Sequence, residues 1–472
     1  MRTRRTNMAR RVVELIAALL ACVLALQATL AQTPSAGVFS EIQTALVPQV
    51  GVALESATVR GRTVTVDTRQ ITAARLGREI LRLNLFDDAS VDVQVERVRA
   101  TRSGHFISGR PLGMAWGEVR LVVNGPVVVG TVVTPEGKFT IRWGGSGRHV
   151  IRQIDPSAEP PEHDVEEDLL PSGPPQTGSA IDPLASIAGL STAMTEDAPT
   201  EDGSEVRVLV VYTPAMQARQ GGSAGMEALI DLMIQSANQA FEISGIIPRL
   251  VLAHSALVNY VEEHTHTDLF RLESSDDGYM DEVHALRNEH AADLVHLLTH
   301  MVAGPAGSTT RIQSESLTFE DEAAFAVTAS GSEETFTHET GHNFGLRHDR
   351  YVDSLHTTIY PYAFGYVNNR AFEPDAPVTA RWRTIMAYGN RCGDAGFGCP
   401  RLFRFANPDQ THGGDPLGVP AEDPTTGPGG PADARLTINR TAPWVGSYRS
   451  EACTAFSPHS SPIALMGSFC HW

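Results

Sequence analysis

The stretch His338-Glu339-Thr340-Gly341-His342-Asn343-Phe344-Gly345-Leu346-Arg347-His348-Asp349 decides how the rest of the chain is read. On an α-helix, residues four apart share a face, so His338 and His342 can bring two imidazoles to one metal ion. Glu339 stands one step round the same turn, near that ion without being a ligand. Glycine tolerates the left-handed conformation that ends a helix, so Gly345 lets the chain turn sharply and His348 swing back as a third ligand. Three neutral imidazoles leave a tetrahedral Zn2+ with one open position, the arrangement of a catalytic site; a structural site would be closed. With 17 histidines in 472 residues, a bare H-E-x-x-H arises by chance in roughly a few per cent of such chains. The glycine and third histidine at fixed spacing lower that to the order of one in ten thousand.

Downstream, Arg383-Thr384-Ile385-Met386-Ala387-Tyr388-Gly389 is similar to the Met-turn that follows the extended zinc motif in metzincins. With Asp349 directly after the third histidine, residues 205 to 450 resemble a reprolysin-like (adamalysin-type) metzincin peptidase, in particular the secreted bacterial members. The resemblance implies an endopeptidase that hydrolyses peptide bonds in proteins. One catalytic Zn2+ would be held by His338, His342 and His348. Glu339 would take a proton from the attacking water as general base and deliver it to the leaving amine as general acid.

The resemblance also makes Met386 an apolar floor beneath the histidines; an ordinary core methionine would be buried in the same way. Tyr388 stands where some metzincins carry a displaceable ligand or an oxyanion donor, although the branch resembled here generally does without one. Asp349 reads as structural, with Gly345, its carboxylate tying down the turn after His348. The implied fold class is an α/β catalytic domain with a twisted, mostly parallel sheet, an antiparallel edge strand and a zinc-binding helix, preceded by a β-rich pro-domain. From His300 to Glu334 the chain lacks the cysteines that bacterial relatives often carry, which leaves the upper rim of the cleft looser.

The N-terminus speaks to compartment. Arg2, Arg4, Arg5, Arg10 and Arg11 precede an apolar run from Val12 to Leu26, and Thr29-Leu30-Ala31 offers a small-residue cleavage site. Residues 1–31 therefore read as a signal peptide of a secreted protein, extracellular or retained in the periplasm. The run is too short for a permanent anchor. Leu19-Leu20-Ala21-Cys22 resembles a lipoprotein signal, but the apolar run continues past Cys22. The formal charge of −18 becomes −22 once five arginines and one glutamate leave with those residues. So acidic a chain is a poor partner for nucleic acid or anionic membranes.

The remaining four cysteines all follow the zinc motif. Short loops in an oxidising compartment favour Cys392 with Cys399 and Cys453 with Cys470, though the sequence alone does not fix the connectivity. A second metal site lacks the C-x-x-C spacing.

Residues 32–154 read as a β-rich pro-domain. Strand alternation is visible at 62–66, 90–95, 118–123, 126–133 and 138–143, with Asn124-Gly125 and Pro135-Glu136-Gly137 as turns. The domain has no cysteine, so latency through a thiolate on zinc is excluded. Residues 155–204 form an acidic linker rich in Pro, Gly and Ser, where removal of the pro-domain is expected; an uncut spacer is the alternative. Residues 205–450 are the peptidase domain, with buried strands at 206–212, 249–258 and 293–298 and an amphipathic helix through Met226 and Phe241. The resemblance implies that the strand at Ala323–Thr328 lies at the sheet edge, lining the cleft and pairing with an extended substrate; an ordinary core strand is the alternative. Pro400 to Pro431 forms an irregular wall, Asp433 to Trp444 a closing helix, and 451–472 a tail with a local disulfide.

Partners are thus protein or peptide substrates, with no nucleic acid, no transmembrane segment and a monomeric chain; structural Ca2+ has no sequence support. Two rival readings are a catalytically silent metzincin-like binding or adhesion domain, which the presence of Glu339 argues against, and a first domain kept as a permanent targeting module.

Overall fold

A computed structural model of the chain describes residues 37–42, 57–77, 80–155, 201–300, 304–315, 323–329, 331–353 and 358–449. The expected signal peptide, most of the linker, and Cys453 and Cys470 lie outside them. Among the described residues no helix is long and apolar enough to cross a membrane.

The first lobe is a nine-stranded antiparallel sheet. Its strands are β1 (Phe39–Glu41), β2 (Thr58–Val66), β3 (Leu81–Phe86), β4 (Ala89–Ala100), β5 (His105–Pro111), β6 (Glu118–Asn124), β7 (Val127–Thr134), β8 (Gly137–Trp143) and β9 (His149–Ile154), with helix α1 (Thr68–Arg75) between β2 and β3. The spatial order β1-β2-β9-β8-β7-β6-β5-β4-β3 is a meander closed by the return of β9 to β2. The five strands read from alternation are all present. β1, β3, β5, β9 and α1 add to them.

Period-two alternation splits the sheet between two cores. Val119, Leu121, Val128, Val132, Phe139, Ile141 and Ile151 pack into a core of the lobe's own. Phe106, Val122, Val127, Val129 and Trp143 belong instead to the large core of the second lobe.

That second lobe is built on five strands: β10 (Glu205–Tyr212), β11 (Arg249–Leu257), β12 (Leu294–Thr299), β13 (Gly307–Thr309) and β14 (Phe325–Ala329). Their order is β11-β10-β12-β14-β13. The first four are mutually parallel and β13 runs antiparallel to β14. The edge is therefore β13, and the expectation for Ala323–Thr328 is corrected: β14 is hydrogen-bonded on both sides, to β12 and β13. All five β14 residues are buried, as suits an interior strand. Gly307-Ser308-Thr309 is too short and too polar to announce itself in the sequence.

The helices are α2 (Pro214–Arg219), α3 (Ser223–Ile243), α4 (Thr265–Glu273), α5 (Glu282–Glu289), α6 (Glu333–Asn343), α7 (Asn390–Asp394) and α8 (Ala434–Val445). α8 begins where Asp433 Oδ1 accepts the Leu436 N–H at 2.8 Å, an N-cap at the expected boundary. Between α7 and α8 the irregular wall holds a short hairpin, β17 (Asn407–His412) with β18 (Asp415–Leu417), after the small pair β15 (Arg347–Asp349) and β16 (Phe364–Gly365). Cys392 and Cys399 are joined in a disulfide.

Candidate active site

The site is assembled on α6. Its first turn is capped by Ser332, whose Oγ accepts the Thr335 N–H at 3.2 Å, and Glu333 and Glu334 follow where a carboxylate favours the helix dipole. Every residue of the helix except Glu334 is buried, so an amphipathic stripe is absent and only tertiary packing explains its sequence. Asn343 Nδ2 donates to Thr310 O at 3.0 Å and to Ala323 O at 3.2 Å, tying the end of the helix to the chain beside β13 and β14.

Gly345 adopts φ 91°, the left-handed position that reverses the chain. Its N–H donates to His342 O at 2.7 Å and that of Leu346 to Gly341 O at 3.1 Å, closing the helix end. The chain then enters β15, parallel to β16, and carries His348 back over α6.

The Nε2 atom of His342 lies 3.0 Å from that of His338 and 3.1 Å from that of His348. Among the described residues these three histidines form the one group of potential ligands able to hold a metal ion, their ligand atoms all within 4.8 Å of one another. The outer nitrogens fit the same purpose. His338 Nδ1 meets Ile385 O at 3.1 Å and His342 Nδ1 meets Leu346 O at 2.8 Å. A carbonyl requires N–H at Nδ1, which leaves the lone pair on Nε2 facing the centre. Behind His348, Asp353 is buried and paired with Arg347 at 3.1 Å, with its other oxygen 4.0 Å from His348 Nδ1.

Glu339 is buried beside the triad. The edge strand grips it from two successive inward positions. Thr309 Oγ1 donates to Glu339 Oε2, and at Gly307 a Cβ would fall 2.1 Å from Oε1. Only glycine lets the strand approach the carboxylate so closely.

Met386 is fully buried and lies against α6 at Gly341, where a Cβ would sit 2.5 Å from the Met386 sulfur. Tyr388 stacks on His348 with ring centroids 4.1 Å apart. Asp349 Oδ2 accepts the Tyr388 N–H at 2.9 Å and Oδ1 the Tyr351 N–H at 3.0 Å. Burial pushes the Asp349 carboxyl up, and the two N–H donors hold it back in part. The structure thus brings His338, Glu339, His342, Gly345, His348, Asp349, Met386 and Tyr388 together, whereas Cys392 and Cys399 belong to a separate small cluster with Val367 and Ala387.

Sequence reasoning did not find Thr309, Gly307, Gly341 or Asp353. Gly341 was visible only as an unassigned position inside the motif. Thr309 carries no local signal, because its relation to Glu339 spans 30 residues. Among the other described histidines, His296 is buried against Phe336, its pKa lowered by burial to about 3, and His254 stacks on His290.

Residues 202–397 match the sequence profile of Reprolysin_5, Metallo-peptidase family M12. Three bacterial relatives carry the name peptidyl-Asp metalloendopeptidase. The proteins from Stenotrophomonas maltophilia strain R551-3 and Xanthomonas campestris pv. campestris are 34% and 32% identical, over 64% and 63% of this chain. That from Stenotrophomonas maltophilia strain K279a is 34% identical over 63% of this chain. The chain spans 65%, 64% and 64% of the lengths of these three relatives.

Proposed function

We propose that this chain, whose residues 202–397 match the profile of metallopeptidase family M12, is a zinc-dependent endopeptidase of the metzincin type. The observation that carries the reading is the convergence of three imidazole Nε2 atoms within about one ion's reach, with the Glu339 carboxylate buried beside them.

His338, His342 and His348 would hold the zinc, each as a neutral ligand. Bound zinc supplies Lewis acidity and lowers the pKa of water at the open position towards neutrality. Glu339 takes the proton of the attacking water on its carboxylate and passes it to the nitrogen of the departing amine. Thr309 orients that carboxylate through Oε2. Gly307 keeps the edge strand close enough for main-chain pairing with an extended substrate, which gives affinity without demanding one sequence. Met386 supports α6 from below, and Tyr388 fixes the plane of His348 by stacking.

The relatives' shared name supports a preference for peptide bonds beside aspartate in this chain too. Residues 1–31 are read as an export signal and 32–154 as a pro-domain, so the enzyme is made as a secreted precursor cut within 155–204. Glu339 disfavours the silent binding-domain alternative, since loss of this glutamate is what would remove turnover.

Digestion of a denatured protein, followed by mass spectrometry of the product ends, tests the reading. Chelator-sensitive products with ends clustered at aspartates are expected. Ends scattered without regard to aspartate would overturn the preference, and absence of products would overturn the peptidase assignment.

A further inference from the structure

Helix α3 is buried nearly all round. Gly225, Met226, Ala228, Leu229, Ile230, Leu232, Met233, Ile234, Ala237, Ala240 and Phe241 are all covered. A helix apolar on every side needs packing on every side. One side is met by the parallel sheet and α6. The other is met by the first lobe, whose Phe106, Val122, Val127, Val129 and Trp143 share α3's core.

Polar contacts follow the same seam. Ser103 N–H donates to Asp231 Oδ2 on α3 at 2.9 Å. Further along α3, Glu242 pairs with Arg99 and with Arg97, the latter at 3.2 Å. At Gly225 a Cβ would fall 1.8 Å from Gln220 O, so the turn that opens α3 needs glycine, and the Trp143 ring of the first lobe closes to 3.0 Å of the same position.

The seam also reaches the first turn of α6. Lys138 Nζ lies 2.9 Å from Glu334 Oε2, Arg120 Nη2 3.4 Å from Glu333 Oε1, and Arg142 Nη2 3.7 Å from Glu333 Oε2. Arg142 donates to Gly331 O at 3.3 Å, and the Arg120 guanidinium lies over the Phe403 ring at 3.9 Å. Arg120 and Glu333 are almost fully buried. Burial pushes the Glu333 carboxyl up, but Arg120 and Arg142 outweigh it and hold it below the usual range. Two buried groups of opposite charge are costly to part, because each charge would be left uncompensated at a low-dielectric site.

We infer that the β-sheet lobe is a permanent, non-covalently held part of the enzyme: cutting the chain between the lobes leaves the sheet seated on α3 and on the first turn of α6, through the shared apolar core and the cations around Glu333 and Glu334. This departs from a pro-segment that leaves after cleavage. The lobe is then a structural subunit of the site, bracing the end of the helix that carries His338, Glu339 and His342. The inference does not rest on the catalytic reading.

The test uses the full chain with one engineered protease site placed within residues 160–195. After complete cutting, native gel filtration is read by the masses of the two fragments, without substrate. Co-elution of both at the volume of the uncut chain is expected. Elution of the sheet fragment apart from the rest would overturn the inference, whether or not the remainder stays soluble. Lys138→Glu sets a like charge against Glu334 within the seam and is expected to make the cut complex dissociate about tenfold faster. An unchanged dissociation rate would overturn the part assigned to the cations.

Discussion

The carboxylate of Asp349 accepts the main-chain N–H of Tyr388 at 2.9 Å, so the strand that returns His348 to the site is fastened to the turn that carries Met386. Two segments 39 residues apart in sequence are thereby held as one rigid unit. Asp349→Ala leaves two N–H groups without their acceptor, which costs about 1–3 kcal/mol each as an upper range. Urea denaturation is expected to show a loss of a few kcal/mol for Asp349→Ala and a smaller one for Asp349→Asn, with zinc content falling in parallel. Unchanged stability in Asp349→Ala would contradict this role.

Thr309 donates its hydroxyl to the carboxylate of Glu339, the proposed general base. A hydrogen bond to a charged group is worth about 1.5–3 kcal/mol, which corresponds to roughly a 10- to 100-fold fall in kcat if it operates mainly in the transition state. Thr309→Val is expected to lower kcat by that factor with KM nearly unchanged. Thr309→Ser, which keeps the hydroxyl, is expected to restore most of it. A KM effect alone, or no rescue by serine, would sink the idea.

Gly341 is small because Met386 occupies the space of its side chain. An added methyl would overlap the Met386 sulfur and press on Phe405, 3.1 Å away. Overpacking of this kind costs about 1–3 kcal/mol. Thermal denaturation of Gly341→Ala is expected to show that loss, and Gly341→Ala with Met386→Ala less than the sum of the two single changes. Strict additivity would mean that the two residues do not compete for the space.

In the first lobe, His149 Nε2 accepts the Val128 N–H at 3.0 Å in a buried setting. Burial lowers its pKa to about 4, below the value of about 6.5 in an unfolded chain. The folded state therefore binds fewer protons. Its stability from this group is fully present above about pH 6.5 and is lost as the pH falls towards 4, by on the order of 3 kcal/mol. An asparagine side chain in this place keeps an acceptor for the Val128 N–H and does not titrate. His149→Asn is therefore expected to flatten the decline in urea midpoint between pH 6.5 and 4. Parallel profiles for the two proteins would refute it.

How much of this was legible in the sequence follows from the range of each interaction. The triad was readable because two ligands are four apart on a helix and the third follows a glycine turn, all within eleven residues. The strands at 118–123 and 138–143 show themselves by alternation. The edge strand is misassigned from the sequence: Ala323 to Thr328 carries the apolar signal, while the true edge, Gly307–Thr309, is defined only by what it approaches. The seating of the first lobe was equally hidden. Nothing local in Arg120, Lys138 or Arg142 announces partners almost 200 residues away or more.

Hydrolysis of a denatured protein by the full chain, beside Glu339→Ala and a chelator-treated sample with zinc content measured in each, tests the central claim most directly. Cleavage by the zinc-loaded wild type, lost on chelation and lost in a Glu339→Ala variant that still binds zinc, is the predicted result. A zinc-loaded wild type that cleaves nothing, or a Glu339→Ala variant that cleaves at the wild-type rate, would contradict it.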